Sequence, residues 1–182
     1  MTLRLLFLSI ISLVAVFQCA AQSWPAAKAP AVPQADGYVA IPNVAIAPKR
    51  SVTYRSIFDG TRFGARPDGI LPVVNAVGGL LNDLVAEKVS RANGKFVIVF
   101  HGAAVDGILD DQHYRAKYGI DNPNLPVLRS LKKQGVELYV CGQHLAAEHI
   151  EPKTLSRDVA IASDAYLVLI HYQNRGYALM LF

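Results

Sequence analysis

The sequence predicts an α/β fold: a five-stranded, mostly parallel sheet in a three-layer sandwich. Three observations lead there. Segments of strand character alternate with segments of helical periodicity, the pattern of β-α-β units. The run "KFVIVF" at 95–100 is apolar without alternation, as in a parallel strand buried on both faces. Between 73 and 91, Val73, Val77, Leu80, Leu81, Leu84 and Val85 recur at steps of three and four and define one apolar helix face.

The elements follow in order. Ser51 to Phe58 reads as the first strand, closed by Asp59-Gly60. A loop carrying Gly and Pro, 61–72, leads into the helix 73–91, in which Gly78-Gly79 weakens propensity and permits close packing. Asn93-Gly94 stops that helix. The second strand, 95–100, is closed by His101-Gly102. A long connection follows, with a short helix around 111–117. A helix at 125–134 is stopped by Gly135. The strand 136–141 then ends on Cys141, and a helical turn covers 143–149. A short strand is expected at 158–162. Ser163 is expected to cap a helix over 164–174, with Asp164 near its positive end. "YALMLF", 177–182, is the last strand. The last helix, "AYLVLIHY", is apolar almost all round, and in a chain this short the extra cover is expected from another subunit.

The first residues have the form of a secretory signal peptide. Arg4 supplies the positive region, Leu5 to Phe17 is apolar apart from Ser9 and Ser12, and cleavage is expected after Ala21. A lipoprotein role for Cys19 is disfavoured by the large Phe17 and Gln18 before it. The chain is therefore expected to be exported to the periplasm and free of the membrane after cleavage. Residues 22–50 form a Pro/Ala-rich arm, and Tyr38, Val39 and Ile41 make its C-terminal half the part expected to be buried. The domain proper is 51–182. Formal charge is +4, falling to about +3 once Arg4 is lost, and the basic residues are scattered, so no nucleic-acid partner is expected.

Candidate chemistry gathers where strands end. In open α/β sheets, ligands bind outside the C-terminal strand ends. Asp59, His101, Cys141 and Ser163 each sit at such an end. With Cys19 removed, Cys141 has no partner in the chain, so no disulfide framework exists. A thiol at a strand end that faces a helix start has its thiolate stabilised by the amides there. Gly142 allows a tight turn, and His144 or His101 supplies an imidazole, the arrangement of a nucleophilic cysteine. The bland alternative is a small buried hydrophobe. Cys141, His144 and His101 are the candidate catalytic residues. Gly142, Gln143, Gly102, Asn82 and Ser163 are candidate ligand-binding residues. A metal site on the Cys-x-x-His spacing lacks a second cysteine, and no metal or cofactor is expected. His113, His149 and His171 read as surface or interface residues. No phosphate-binding glycine loop and no serine nucleophile elbow occur, which argues against nucleotide-dependent and serine-hydrolase chemistry.

At these residues the chain resembles a known family. "FVIVFHG", "LRSLKKQG" followed by "VELYVCGQ", "YRAKYGIDNPN" and "SDAYLVLIHYQNRGYALM" are similar to the exported branch of the DsrE/DsrF-like family, over roughly Tyr54 to the C-terminus. The resemblance implies a DsrE/YchN-like fold and a homotrimer or hexamer. In sulfur-relay members a cysteine accepts a sulfane sulfur as a persulfide and passes it on, and Cys141 is the matching position. Two functions are therefore expected to compete: a periplasmic persulfide carrier or sulfurtransferase-like protein with an unidentified donor or acceptor, and a non-enzymatic oligomeric module that binds a small ligand, metal ion or partner protein, with Cys141 structural.

Overall fold

The computed structural model describes residues 24–182, so the expected leader at 1–21 lies outside the described residues. Five strands form one sheet: β1 (Tyr54–Gly60), β2 (Gly94–Phe100), β3 (Glu137–Cys141), β4 (Ala160–Ala162) and β5 (Ala178–Leu181). Their spatial order is β4-β3-β2-β1-β5, and every pair is parallel. The helices are α1 (Pro72–Ala86), α2 (Asp111–Tyr118), α3 (Asn124–Lys133), α4 (Gly142–Ala147) and α5 (Ala165–Gln173).

Alternation along the strands separates two cores. Phe58, Phe96, Ile98, Phe100, Leu138 and Val140 face α1 and α3, meeting Val73, Val77, Leu81, Val127, Leu128 and Leu131. Ile57, Val97, Val99 and Cys141 face the opposite way, against Ala165, Leu169 and Tyr172 of α5. Each of these large side chains, once buried, contributes on the order of 1.5–3 kcal/mol. The chain steps from β1 to β4 in one direction across the sheet. It then returns along α5 to place β5 beside β1. This return lays α5 under β1 and β2 and starts it next to the end of β3.

Several boundaries move from their expected places. The first strand begins three residues later than expected and takes in Asp59-Gly60, because Asp59 and Gly60 pair with Val99 and Phe100. Helix α1 stops at Ala86 and not at Arg91. Lys88 turns left-handed at φ 60°, and the Val89 amide reaches back to the Leu84 carbonyl at 2.8 Å. That closure buries Val89 on the core beside Leu84 and ends the helix without a glycine. The cap of α5 is Asp164, not Ser163: its carboxylate accepts the Tyr166 and Leu167 amides.

The arm also differs from expectation. Its buried residues are Val32, fully enclosed, and Ala31, while Tyr38 and Val39 are half-buried and Ile41, Val44 and Ile46 are exposed. A bridge from Lys28 to Tyr38 folds it back on itself. Gly78 makes room for it: a Cβ there would overlap that of Ala35 and crowd Val32.

Candidate active site at the end of the third strand

Cys141 closes β3 and is the N-cap of α4. Its Sγ accepts two backbone amides, from His144 at 3.4 Å and from Ala165 at 3.2 Å. One amide belongs to the start of α4 and the other to the first residue of α5. Both donors favour negative charge on sulfur. The thiol is 6% exposed and sits in the α5-facing core. It is the free cysteine among the described residues.

The backbone around it leaves no slack. A Cβ on Gly142 would lie 2.7 Å from the Ala162 carbonyl oxygen and 3.3 Å from that of Ser163. Gly142 is glycine because the end of β4 passes directly over it. The Gln143 amide donates to the Ser163 carbonyl at 3.2 Å and ties the α4 start to the segment before α5. Gln143 and Ser163 themselves are exposed.

His101 follows β2 in extended backbone and continues the Val97, Val99 side of the strand. Extending the β2–β3 register by one step sets it beside Cys141, one strand spacing away, or about 4.8 Å. Its Nε2 lies 2.6 Å from Oδ1 of Asp59, and both side chains are largely buried. The Tyr166 ring, on the first turn of α5, meets His101 edge-on at 6.1 Å between centroids. Asp59, His101 and Cys141 thus form a row across three neighbouring strands, all on the α5 side of the sheet.

The predicted site residues divide into three groups. Cys141, Gly142, Gln143 and Ser163 come together, and His101 joins them from the next strand. His144 reaches the sulfur through its amide, while its ring lines a separate groove of about 510 Å³ with Gly102, Asp106, Lys117 and Glu148. Gly102 adopts φ +57° and lies under the Thr61 carbonyl. In that groove Lys117 and the Tyr118 hydroxyl both bind the Asp106 carboxylate, and burial together with that carboxylate pushes the Tyr118 hydroxyl well up.

Asn82 is corrected. It does not point to the strand ends. Its Oδ1 accepts the Ala31 and Val32 amides, and its Nδ2 donates to the Val32 and Asp36 carbonyls. Fully buried, it is the clasp that holds the arm on α1. Sequence reasoning placed Asp59 at a strand end but did not link it to His101. The signal was present in the two strand ends, which bring both residues to one edge on one face, with His101 two residues beyond Val99, the register partner of Asp59. No group of three or more His, Cys, Asp or Glu among the described residues is arranged to hold a metal ion. No helix among them is long and apolar enough to cross a membrane.

A family model described as the DsrE/DsrF-like family matches residues 80–182, the stretch holding β2, Cys141 and α5. The chain belongs to the DsrE/DsrF-like family. Among solved structures it is similar to the protein of unknown function MTH1491 from Methanobacterium thermoautotrophicum, with a TM-score of 0.53 and 19% identity over 71% of this chain and 99% of that one. It is also similar to the ychN protein from E. coli, with a TM-score of 0.47 and 17% identity over 71% of this chain and 99% of that one. No curated protein matches the chain significantly. The likeness to the Methanobacterium protein supports the DsrE-like α/β fold. The family as a whole is associated with sulfur relay.

Proposed function

We propose that this chain is a periplasmic sulfur carrier or sulfurtransferase-like protein that holds a persulfide on Cys141. The single observation that carries the reading is the sulfur position. A lone cysteine among the described residues ends β3, and its Sγ accepts amides from two different helix starts. Amides aimed at one sulfur favour an anionic thiolate, and they equally favour an anionic persulfide.

The transfer balances without an external oxidant. The Cys141 thiolate attacks the terminal sulfur of a donor persulfide, R–S–SH. A new Sγ–S bond forms as the donor S–S bond breaks, and the electron pair leaves on the donor thiolate. The same exchange, run toward an acceptor thiolate, unloads Cys141. Export with cleavage near Ala21, and assembly into a trimer or hexamer, belong to this reading.

The second reading also has an observation behind it. At 6% exposure, Cys141 packs among Ile57, Val97, Val99 and Leu169. A cysteine that only fills that core would leave the protein an oligomeric binding module for a small ligand, metal ion or partner protein.

Intact mass spectrometry of protein taken from its native compartment separates the two. The carrier reading expects a gain of about one sulfur mass on Cys141, removed by mild reduction. That gain is absent in Cys141→Ser. The same spectrum reads the mature N-terminus. A plain thiol that resists alkylation in the folded state defeats the carrier and leaves the binding module.

A further inference from the structure

We infer that Asp59 is a positioning residue for the Cys141 site, acting through His101 to give the sulfur a base of fixed tautomer. This deepens the carrier reading and rests on it for the identity of the transferred group.

The argument begins with topology. β1 and β2 are both seven residues long and pair in register throughout. Asp59 is the last side chain of β1 on the α5 side, and His101 is the first residue past β2 on that same side. The two meet at 2.6 Å, with side chains only 16% and 19% exposed. A carboxylate largely shielded from water at a strand end is costly unless it is bound. Here its Oδ1 is bound to a single imidazole nitrogen, Nε2.

That contact fixes the chemistry of the ring. A carboxylate accepts and cannot donate, so the shared proton resides on His101 Nε2. The neutral ring then carries its free lone pair on Nδ1, which makes no hydrogen bond among the described residues. His101 is the neighbour of Cys141 in register, and β3 lies on the opposite side of it from Asp59. Among the described residues the ring makes no direct hydrogen bond to Sγ, which accepts only the His144 and Ala165 amides, so the sulfur proton reaches Nδ1 through a bridging water or a turn of the ring. In the step, the S–H bond breaks, the electron pair stays on sulfur, and Nδ1 takes the proton. Asp59 stabilises the resulting imidazolium and stays ionised. Tyr166, edge-on to the same ring, limits the ring's freedom from the α5 side.

A purely mechanical Asp59–His101 brace would also hold the ends of β1 and β2 together. Two readouts tell the roles apart. The first is the imidazole tautomer of His101, read by long-range proton–nitrogen correlation NMR in the wild-type chain. The expected form carries its proton on Nε2. Observation of the Nδ1–H tautomer overturns the inference, and it needs no variant to be seen.

The second is the rate of Cys141 alkylation by iodoacetamide in folded wild type, Asp59→Asn, His101→Gln and the double variant. Each single change is expected to slow the reaction by about 10–100-fold, as loss of an orienting partner does elsewhere. The double variant should be no slower than His101→Gln, because Asp59 acts only through that ring. Wild-type rates in Asp59→Asn, additive losses in the double variant, or a wild-type thiol inert while folded would each overturn it. Circular dichroism and unfolding midpoints confirm that the compared variants are folded. Failure of the carrier reading shows separately, as no sulfur gain on a thiol that still alkylates with Asp59 dependence.

Discussion

At Gly142 a missing Cβ decides whether the sulfur site can exist. The Cβ of an alanine would sit 2.7 Å from the Ala162 carbonyl oxygen, and backbone is a neighbour that cannot swing aside. Either β4 separates from β3 or α4 starts at a different angle. Both changes move an amide away from Sγ, since His144 lies on α4 and Ala165 follows β4. Gly142→Ala is therefore expected to destabilise the fold by about 1–3 kcal/mol, the usual cost of overpacking. Its urea midpoint should drop while the far-UV spectrum keeps its shape. An unchanged midpoint would mean that β4 yields freely. Much of this residue's role was legible, because a glycine after a strand-end cysteine already suggested close approach. The opposite holds for Asn82. Its spacing on α1 gave no hint that all its polar groups serve an arm 46 to 51 residues away. Long-range polar pairing leaves no periodic mark in a sequence.

Among the elements, α2 offers the clearest dependence on acid. Asp110 caps it, accepting the His113 amide at 2.8 Å and approaching the His113 ring at 2.7 Å. Burial alone would raise the Asp110 carboxyl. Hydrogen bonds from the His113 amide and ring, with the Gln112 amide and the His113 charge, outweigh it and hold the group below its ordinary 3.8. A carboxyl lowered by folding contributes stability that is present above its unfolded value and lost as pH falls through the folded one. The cap should thus be intact at neutral pH and fail below about pH 4. Amide hydrogen exchange in α2 is expected to speed up there in wild type. In Asp110→Asn, a neutral cap of similar quality, that acid dependence should disappear. The short helix itself was readable from the sequence to within one residue, and α3, β2 and β3 were nearly as legible because apolar period and turn residues agree there. The end of α1 and the cap of α5 were not. Lys88 takes a left-handed turn that sequence rules reserve for Gly or Asn, driven by burial of Val89. Ser163 and Asp164 are both good caps, and only the path of the chain over Gly142 selects Asp164.

Considered whole, the molecule is finished on one side and unfinished on the other. The arm, α1 and α3 enclose the sheet face that carries Phe96 and Ile98. On the opposite face α5 stands alone, and its outer side presents Tyr166, Leu167 and Ile170 at 67%, 59% and 53% exposure. Beside it the edge strand β5 adds Leu179 and Leu181 on the same face, also exposed. Soluble monomers rarely display a contiguous apolar surface of this kind. We propose a second copy of the chain as the cover, and the family resemblance points to a trimer or hexamer. Replacing Leu167 and Ile170 together by Asp adds two charges to that outer side without touching Ala165, Leu169 or Tyr172, which face the sheet. The expected outcome in light scattering after gel filtration is a multimer for the wild type and a monomer for the double variant, with equal helix content. A monomeric wild type would end the oligomer proposal and leave the apolar side to a different partner. The site gives this result a second use. Tyr166 belongs to the exposed side of α5 and also rests against His101. If assembly covers Tyr166, it shields the row of Asp59, His101 and Cys141 from water, and the monomeric variant should alkylate Cys141 faster than the multimer does. Equal rates would place the interface away from Tyr166, toward Leu167 and Ile170 alone.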